Sequence, residues 1–165
     1  MSARVVLLHG FTGSPASWAP VLEQLADVDA LAPALTGHGA ETDAVDFRDE
    51  VDRLQQIVDT WRANDPVHLA GYSLGARIAL AMALERPDSY ASVTLIGVNP
   101  GPRSETERAE RRAADTKWIE LLDRGIEPFV DEWEKLPLWA SQARLPAATR
   151  KAQREARLLH EPSGL

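Results

Sequence analysis

Short apolar runs alternate with helix-like stretches through the first 98 residues, and this rhythm limits the folds open to the chain more than any other feature. Residues 4–8 (RVVLL) read as a strand. Ser14-Pro15 then opens a helix over 15–26, because serine caps and proline is preorganised for a first turn. A strand over 28–35 is followed by an amphipathic helix over 45–63, where Val51, Leu54, Ile57, Val58 and Trp61 recur on one face. The strand 67–72, the helix 74–86 closed by Pro87 and the strand 92–98 complete the series. Strands separated by helices build a parallel sheet from β-α-β units, so the expected class is α/β, a mostly parallel sheet with helices on both faces. The runs 67–72 and 92–98 read as buried on both faces.

The character changes after Val98. Asn99-Pro100-Gly101-Pro102 is a cluster of breakers, and beyond it charged helical stretches are interrupted by Gly125, Pro128, Pro137 and Pro146 without another β-like run. The chain therefore divides into a core, 1–98, and a helical cap or lid, 99–165.

Composition narrows the function. At 165 residues and 44% hydrophobic content the chain can bury one core. Its 25 acidic against 18 basic side chains give a net charge of -7, which argues against nucleic acid as a partner. No run of 18 apolar residues suits a membrane, and Met1-Ser2-Ala3-Arg4 leads straight into a strand with no cleavage site, so a cytoplasmic protein is expected. Without cysteine there is no thiolate ligand or nucleophile. His9, His38, His68 and His160 are too scattered for a local ligand pair, so neither a metal nor another cofactor is expected.

Gly71-Tyr72-Ser73-Leu74-Gly75 carries the chemistry. It is G-x-S-x-G between an apolar strand and a helix, where a strained turn presents a serine hydroxyl at the sheet's end and a helix N-terminus aims free N–H groups at developing negative charge. An oxyanion hole needs a second donor from the loop after an earlier strand, and His9-Gly10-Phe11-Thr12-Gly13 occupies that place. The Phe11 and Leu74 amides are the expected pair. Thr36-Gly37-His38-Gly39 lacks the lysine of a P-loop and reads as a turn at the pocket rim. Arg77, one helical turn beyond Ser73, is either an ordinary solvated or paired arginine or a clamp for a substrate carboxylate.

The segments LHGFTGS, TGHG and GYSLGAR, followed by NPG, RAERRAADTKW and Phe129-Val130-Asp131-Glu132-Trp133, resemble one branch of the α/β-hydrolases across essentially all 165 residues. That branch is the 2-succinyl-6-hydroxy-2,4-cyclohexadiene-1-carboxylate synthases of menaquinone biosynthesis. The resemblance implies a lyase that abstracts a proton from a cyclohexene and eliminates pyruvate, with no cofactor. It implies Ser73, activated by a histidine, as the base, and the Phe11 and Leu74 amides as oxyanion donors. Arg77 and Arg111 match arginines that bind substrate carboxylates, while Tyr72 and Trp133 match pocket walls. The chain departs from the family pattern at Glu134-Lys135-Leu136 and at Ala76.

In this fold an aspartate or glutamate and then a histidine follow the serine, each after a further strand. Asp131 and His160 come in that order but in helical cap sequence, so a chain lacking the C-terminal third, and inactive alone, is expected. The alternatives are a serine esterase or carbon–carbon-bond hydrolase of the same fold, or an inert fragment. Strand 92–98 should then form an exposed sheet edge prone to self-association through Val93-Thr94-Leu95-Ile96. Trp118, Trp133 and Trp139 admit two roles, gluing the cap to the core or, for Trp133, closing over substrate.

Overall fold

A computed structural model describes residues 2–25, 27–39, 45–63 and 65–165. Four strands, β1 (Ala3–Leu8), β2 (Val28–Leu31), β3 (Val67–Tyr72) and β4 (Tyr90–Ile96), form one parallel sheet in the order β2-β1-β3-β4. Leu8 is in register with Gly71, and Gly71 with Leu95, so the ends of the three strands that approach Ser73 are level.

Between the strands lie a short turn of helix α1 (Ala19–Leu22), the long α2 (Phe47–Arg62) and α3 (Leu74–Glu85). Asp46 caps α2 by accepting from the Arg48 and Asp49 amides, and Ala63 ends it in a left-handed conformation. Val51, Leu54 and Val58 of α2 pack with Ile78, Ala79 and Met82 of α3 on Val6, Leu8, Val67 and Leu69 of the sheet. This apolar cluster fixes α3, and with it the turn that carries Ser73.

Beyond β4 the chain is helical: α4 (Glu105–Leu122), α5 (Ile126–Trp133), a 3₁₀ segment Pro137–Arg144 and α6 (Ala147–Leu158). Phe129, Val130 and Leu122 form a second cluster, against which Phe11, Trp118 and Trp133 pack. No helix among the described residues is long and apolar enough to cross a membrane.

Several sequence expectations need correction. The helix expected over 15–26 is a 3₁₀ turn, Pro15–Trp18, followed only by Ala19–Leu22. Pro15 and Pro20 supply no N–H, and Val21 and Leu25 stay exposed, so little burial rewards a longer helix; Ala26 lies outside the described residues. The second strand ends at Leu31 rather than residue 35, two residues before Pro33. The fourth begins at Tyr90 and ends at Ile96 rather than spanning 92–98. Neither β3 nor β4 is buried on both faces. Val67, Leu69 and Gly71 are buried beneath α2 and α3, but His68 and Tyr72 on the opposite face are exposed, as is most of β4.

Candidate active site

Ser73 occupies the sharp turn from β3 into α3 with φ 52° and ψ −109°, a conformation that costs a residue with a Cβ about 1–3 kcal/mol. The two flanking glycines have steric reasons to be there. A Cβ on Gly71 would come within 2.7 Å of the Ala76 Cα, and one on Gly75 would overlap the Leu8 and His9 carbonyl oxygens. The first helical turn of α3 can therefore lie against the ends of β3 and β1 only if both residues are glycine. The Ser73 N–H donates to the Ile96 carbonyl at 2.9 Å, tying the elbow to β4 as well.

The loop after β1 comes to the same place. A Cβ on Gly10 would lie 2.8 Å from Tyr72 Cδ1 and 3.3 Å from Ser73 Cβ, so the Gly10-Phe11 backbone lies beside the serine. Among the described residues, neither the Phe11 nor the Leu74 N–H donates to any protein acceptor. Two free amides beside a serine at a helix N-terminus can receive an oxyanion.

A cleft of about 1060 Å³ opens over the serine between the sheet and the cap. All seven residues singled out from sequence line it: Ser73, Tyr72, Leu74 and Arg77 from the elbow and α3, Phe11 from the β1 loop, and Arg111 and Trp133 from the cap. Arg77 is half-buried, and its guanidinium makes no ion pair or hydrogen bond among the described residues. Burial first, then repulsion from Arg111, push its pKa down, with Asp115 opposing. Arg111 differs, since its Nε reaches both Asp115 carboxylate oxygens at 2.8 Å. Trp133 stacks on Phe129 with ring centres 5.5 Å apart and meets Phe11 and Trp118 edge-on at 5.4 and 5.2 Å. It thus belongs to the packed interior of the cap and to the cleft wall together.

Asp131 and His160 are not brought to Ser73. Asp131 is half-exposed and pairs with Arg154, while His160 Nδ1 accepts from the Gly39 N–H at 2.8 Å. Neither lines the cleft, and no histidine does among the described residues.

Three features were not anticipated. Arg103, just before α4, and Glu107, Glu110 and Asp115 within it join the cleft lining; the mixed charge of RSETERAERRAAD was the available signal. Glu50 is buried on α2, where burial raises its pKa but bonds from Arg53 and Thr36 prevail and lower it. Its carboxylate takes the Thr36 N–H and hydroxyl and thereby braces the 36–39 turn. His9, His38 and His160 form a buried group, His38 lying 5.1 Å from His9 and 5.5 Å from His160 between ring centres. Burial is the main cause lowering all three pKa values, that of His38 to about 4.

Comparison with known proteins extends the geometry. The Escherichia coli (strain K12) 2-succinyl-6-hydroxy-2,4-cyclohexadiene-1-carboxylate synthase is 34% identical over 140 residues, covering 83% of this chain and 55% of its own length. A Bacillus subtilis (strain 168) protein provisionally given the same name is 37% identical over 171 residues, covering 99% of this chain and 62% of its own. The structure of MenH from S. aureus superposes with a TM-score of 0.89 at 32% identity, over 98% of this chain and 63% of that one. The chain thus spans between half and two thirds of these relatives' lengths. The alpha/beta hydrolase family model matches residues 5–163, and with its serine elbow and parallel sheet the chain belongs to that family.

Proposed function

We propose that the Ser73 cleft takes part in eliminating pyruvate from 2-succinyl-5-enolpyruvyl-6-hydroxy-3-cyclohexene-1-carboxylate, the lyase step of menaquinone biosynthesis, in the cytoplasm. The observation that carries this reading is Arg77, half-buried and, among the described residues, unpaired, in the same cleft as Ser73 and two amides that have no acceptor among those residues. An unpaired buried cation is costly unless an anion meets it, and a carboxylate substrate supplies one.

The chemistry follows from the positions named in substrate and product. A base removes the proton on the ring carbon that bears the succinyl group, and negative charge moves onto the succinyl carbonyl oxygen. The Phe11 and Leu74 amides stabilise that oxygen. As the charge returns, the ring double bond shifts by one position, a second forms, and the carbon–oxygen bond to the enolpyruvyl group breaks. The departing enolate gains a proton and becomes pyruvate. Ser73 Oγ is the proton acceptor, a role that requires a histidine to take its own proton. Since no histidine among the described residues lines the cleft, these residues alone supply binding and oxyanion stabilisation, not the complete base.

Coupled detection of pyruvate tests this reading. The 165-residue chain should release pyruvate at least about a thousandfold more slowly than S. aureus MenH. A rate within tenfold of that enzyme would show that a base reaches Ser73 from the described residues. Ester hydrolysis without pyruvate would transfer the assignment to a serine esterase.

A further inference from the structure

His9 is almost fully buried at the end of β1, and both ring nitrogens are engaged. The Leu35 N–H donates to Nε2 at 3.1 Å, so Nε2 carries no proton and the neutral ring is protonated at Nδ1. That Nδ1–H lies 3.0 Å from the Gly10 carbonyl oxygen, which also accepts from the Gly13 N–H at 2.9 Å. The Gly10 carbonyl and the Phe11 N–H belong to one planar trans peptide and point in opposite directions. Two donors on the oxygen therefore fix where the Phe11 N–H points.

We propose that His9 is a positioning residue, its Nδ1–H holding the Gly10–Phe11 peptide so that the Phe11 N–H faces the Ser73 cleft. This rests on the reading of Phe11 as an oxyanion donor, because a correctly aimed amide matters only if charge develops against it. The surroundings agree. The peptide lies beside Ser73 Cβ, and the Phe11 N–H has no acceptor among the described residues to hold it. Burial lowers the pKa of His9, which keeps Nε2 free to accept from Leu35 and so preserves the tautomer.

Two substitutions separate positioning from support. His9→Asn places an amide N–H near the Nδ1 position and loses the acceptor for Leu35. His9→Gln places a carbonyl near the Nε2 position and loses the donor to Gly10. The isotope-labelled chain is examined by NMR, free and with 4-carboxyphenylboronic acid, whose tetrahedral adduct on Ser73 mimics an oxyanion. In the free wild-type chain the His9 nitrogen shifts should report the Nδ1–H tautomer. The Gly10 carbonyl shift should be kept in His9→Asn and changed in His9→Gln. With the boronate, the Phe11 amide proton should move downfield in wild type and His9→Asn, while His9→Gln should bind about tenfold more weakly with that movement reduced. A Gly10 shift that is the same in His9→Gln as in wild type would overturn the positioning role. A wild-type adduct that moves Leu74 but not Phe11 would instead remove Phe11 as an oxyanion donor, and a normal Gly10 response alongside it would localise the failure to that reading.

Discussion

Arg77 lies close enough to Arg111 for their like charges to repel, and only Arg111 has a carboxylate, Asp115, bonded to it. Such a pair suits a ligand's negative charge better than it suits the empty protein. Arg77→Ala should therefore weaken binding of a polycarboxylate cyclohexene at least about tenfold, as expected for a lost charge-assisted hydrogen bond. The melting temperature should hold or rise, because a buried unpaired charge has been removed. Calorimetric titration and thermal melting read the two effects; a large fall in melting temperature would show that Arg77 serves the fold.

Gly75→Ala should destabilise the chain by about 1–3 kcal/mol or more, since its methyl would overlap the carbonyl oxygens of Leu8, at the end of β1, and of His9, just after it, and Leu8 cannot move without parting β1 from β3. Urea unfolding would measure it. A loss below about 1 kcal/mol would mean that α3 can withdraw from the sheet.

Trp133→Ala should cost about 3–5 kcal/mol, because it empties the centre of an aromatic cluster shared by Phe11, Trp118, Phe129 and Trp139. Trp133→Phe should be far milder, since the indole Nε1 is buried with no hydrogen-bond partner among the described residues to lose. Equal stability of the alanine variant and wild type in thermal melts would leave only a role as cleft wall.

Acid should loosen the junction between the β1 loop, the 36–39 turn and the end of α6. His9, His38 and His160 face one another there, with Glu50 favouring the charged form of His9 and His38, and Arg157 opposing that of His160. All three have lowered pKa values in the folded chain, so the unfolded chain binds more protons between the two sets of values. Stability is then complete above about pH 6.5 and falls as pH drops, for His38 through the window from 6.5 to about 4. Melting temperatures across that range should trace the fall, and His38→Asn should flatten it. An unaltered profile in that variant would place the acid sensitivity elsewhere.

The β4 edge should promote self-association. β4 pairs only with β3 among the described residues, carries no charged side chain, and exposes Val93 and Ile96 at 38% and 44%. Light scattering should detect dimers or larger species that Val93→Lys suppresses. A monomer at high concentration would contradict this.

The parts of the fold written in local patterns were legible in the sequence. Val51, Leu54 and Val58 announced α2, and G-x-S-x-G between a strand and a helix located the elbow. Ser73, Leu74 and Arg77 were legible because they are neighbours on one turn, and Phe11 because its loop directly follows the first strand, whereas Tyr72, Arg111 and Trp133 came from a family resemblance. What could not be read depends on distant partners. His160 meets Gly39 across 121 positions, and Glu134, a departure from the family pattern, accepts from Arg154 and Arg157, 20 and 23 residues on. Burial of β3 and β4 was misjudged because an apolar run does not reveal how many of its faces a helix will cover.

If the Ser73 cleft is a site for an anionic substrate, isothermal titration of the chain with 2-succinyl-5-enolpyruvyl-6-hydroxy-3-cyclohexene-1-carboxylate should register it. Saturable binding at one site, weakened at least about tenfold by Arg77→Ala, is the result expected. No binding heat, or binding indifferent to Arg77→Ala, would contradict it.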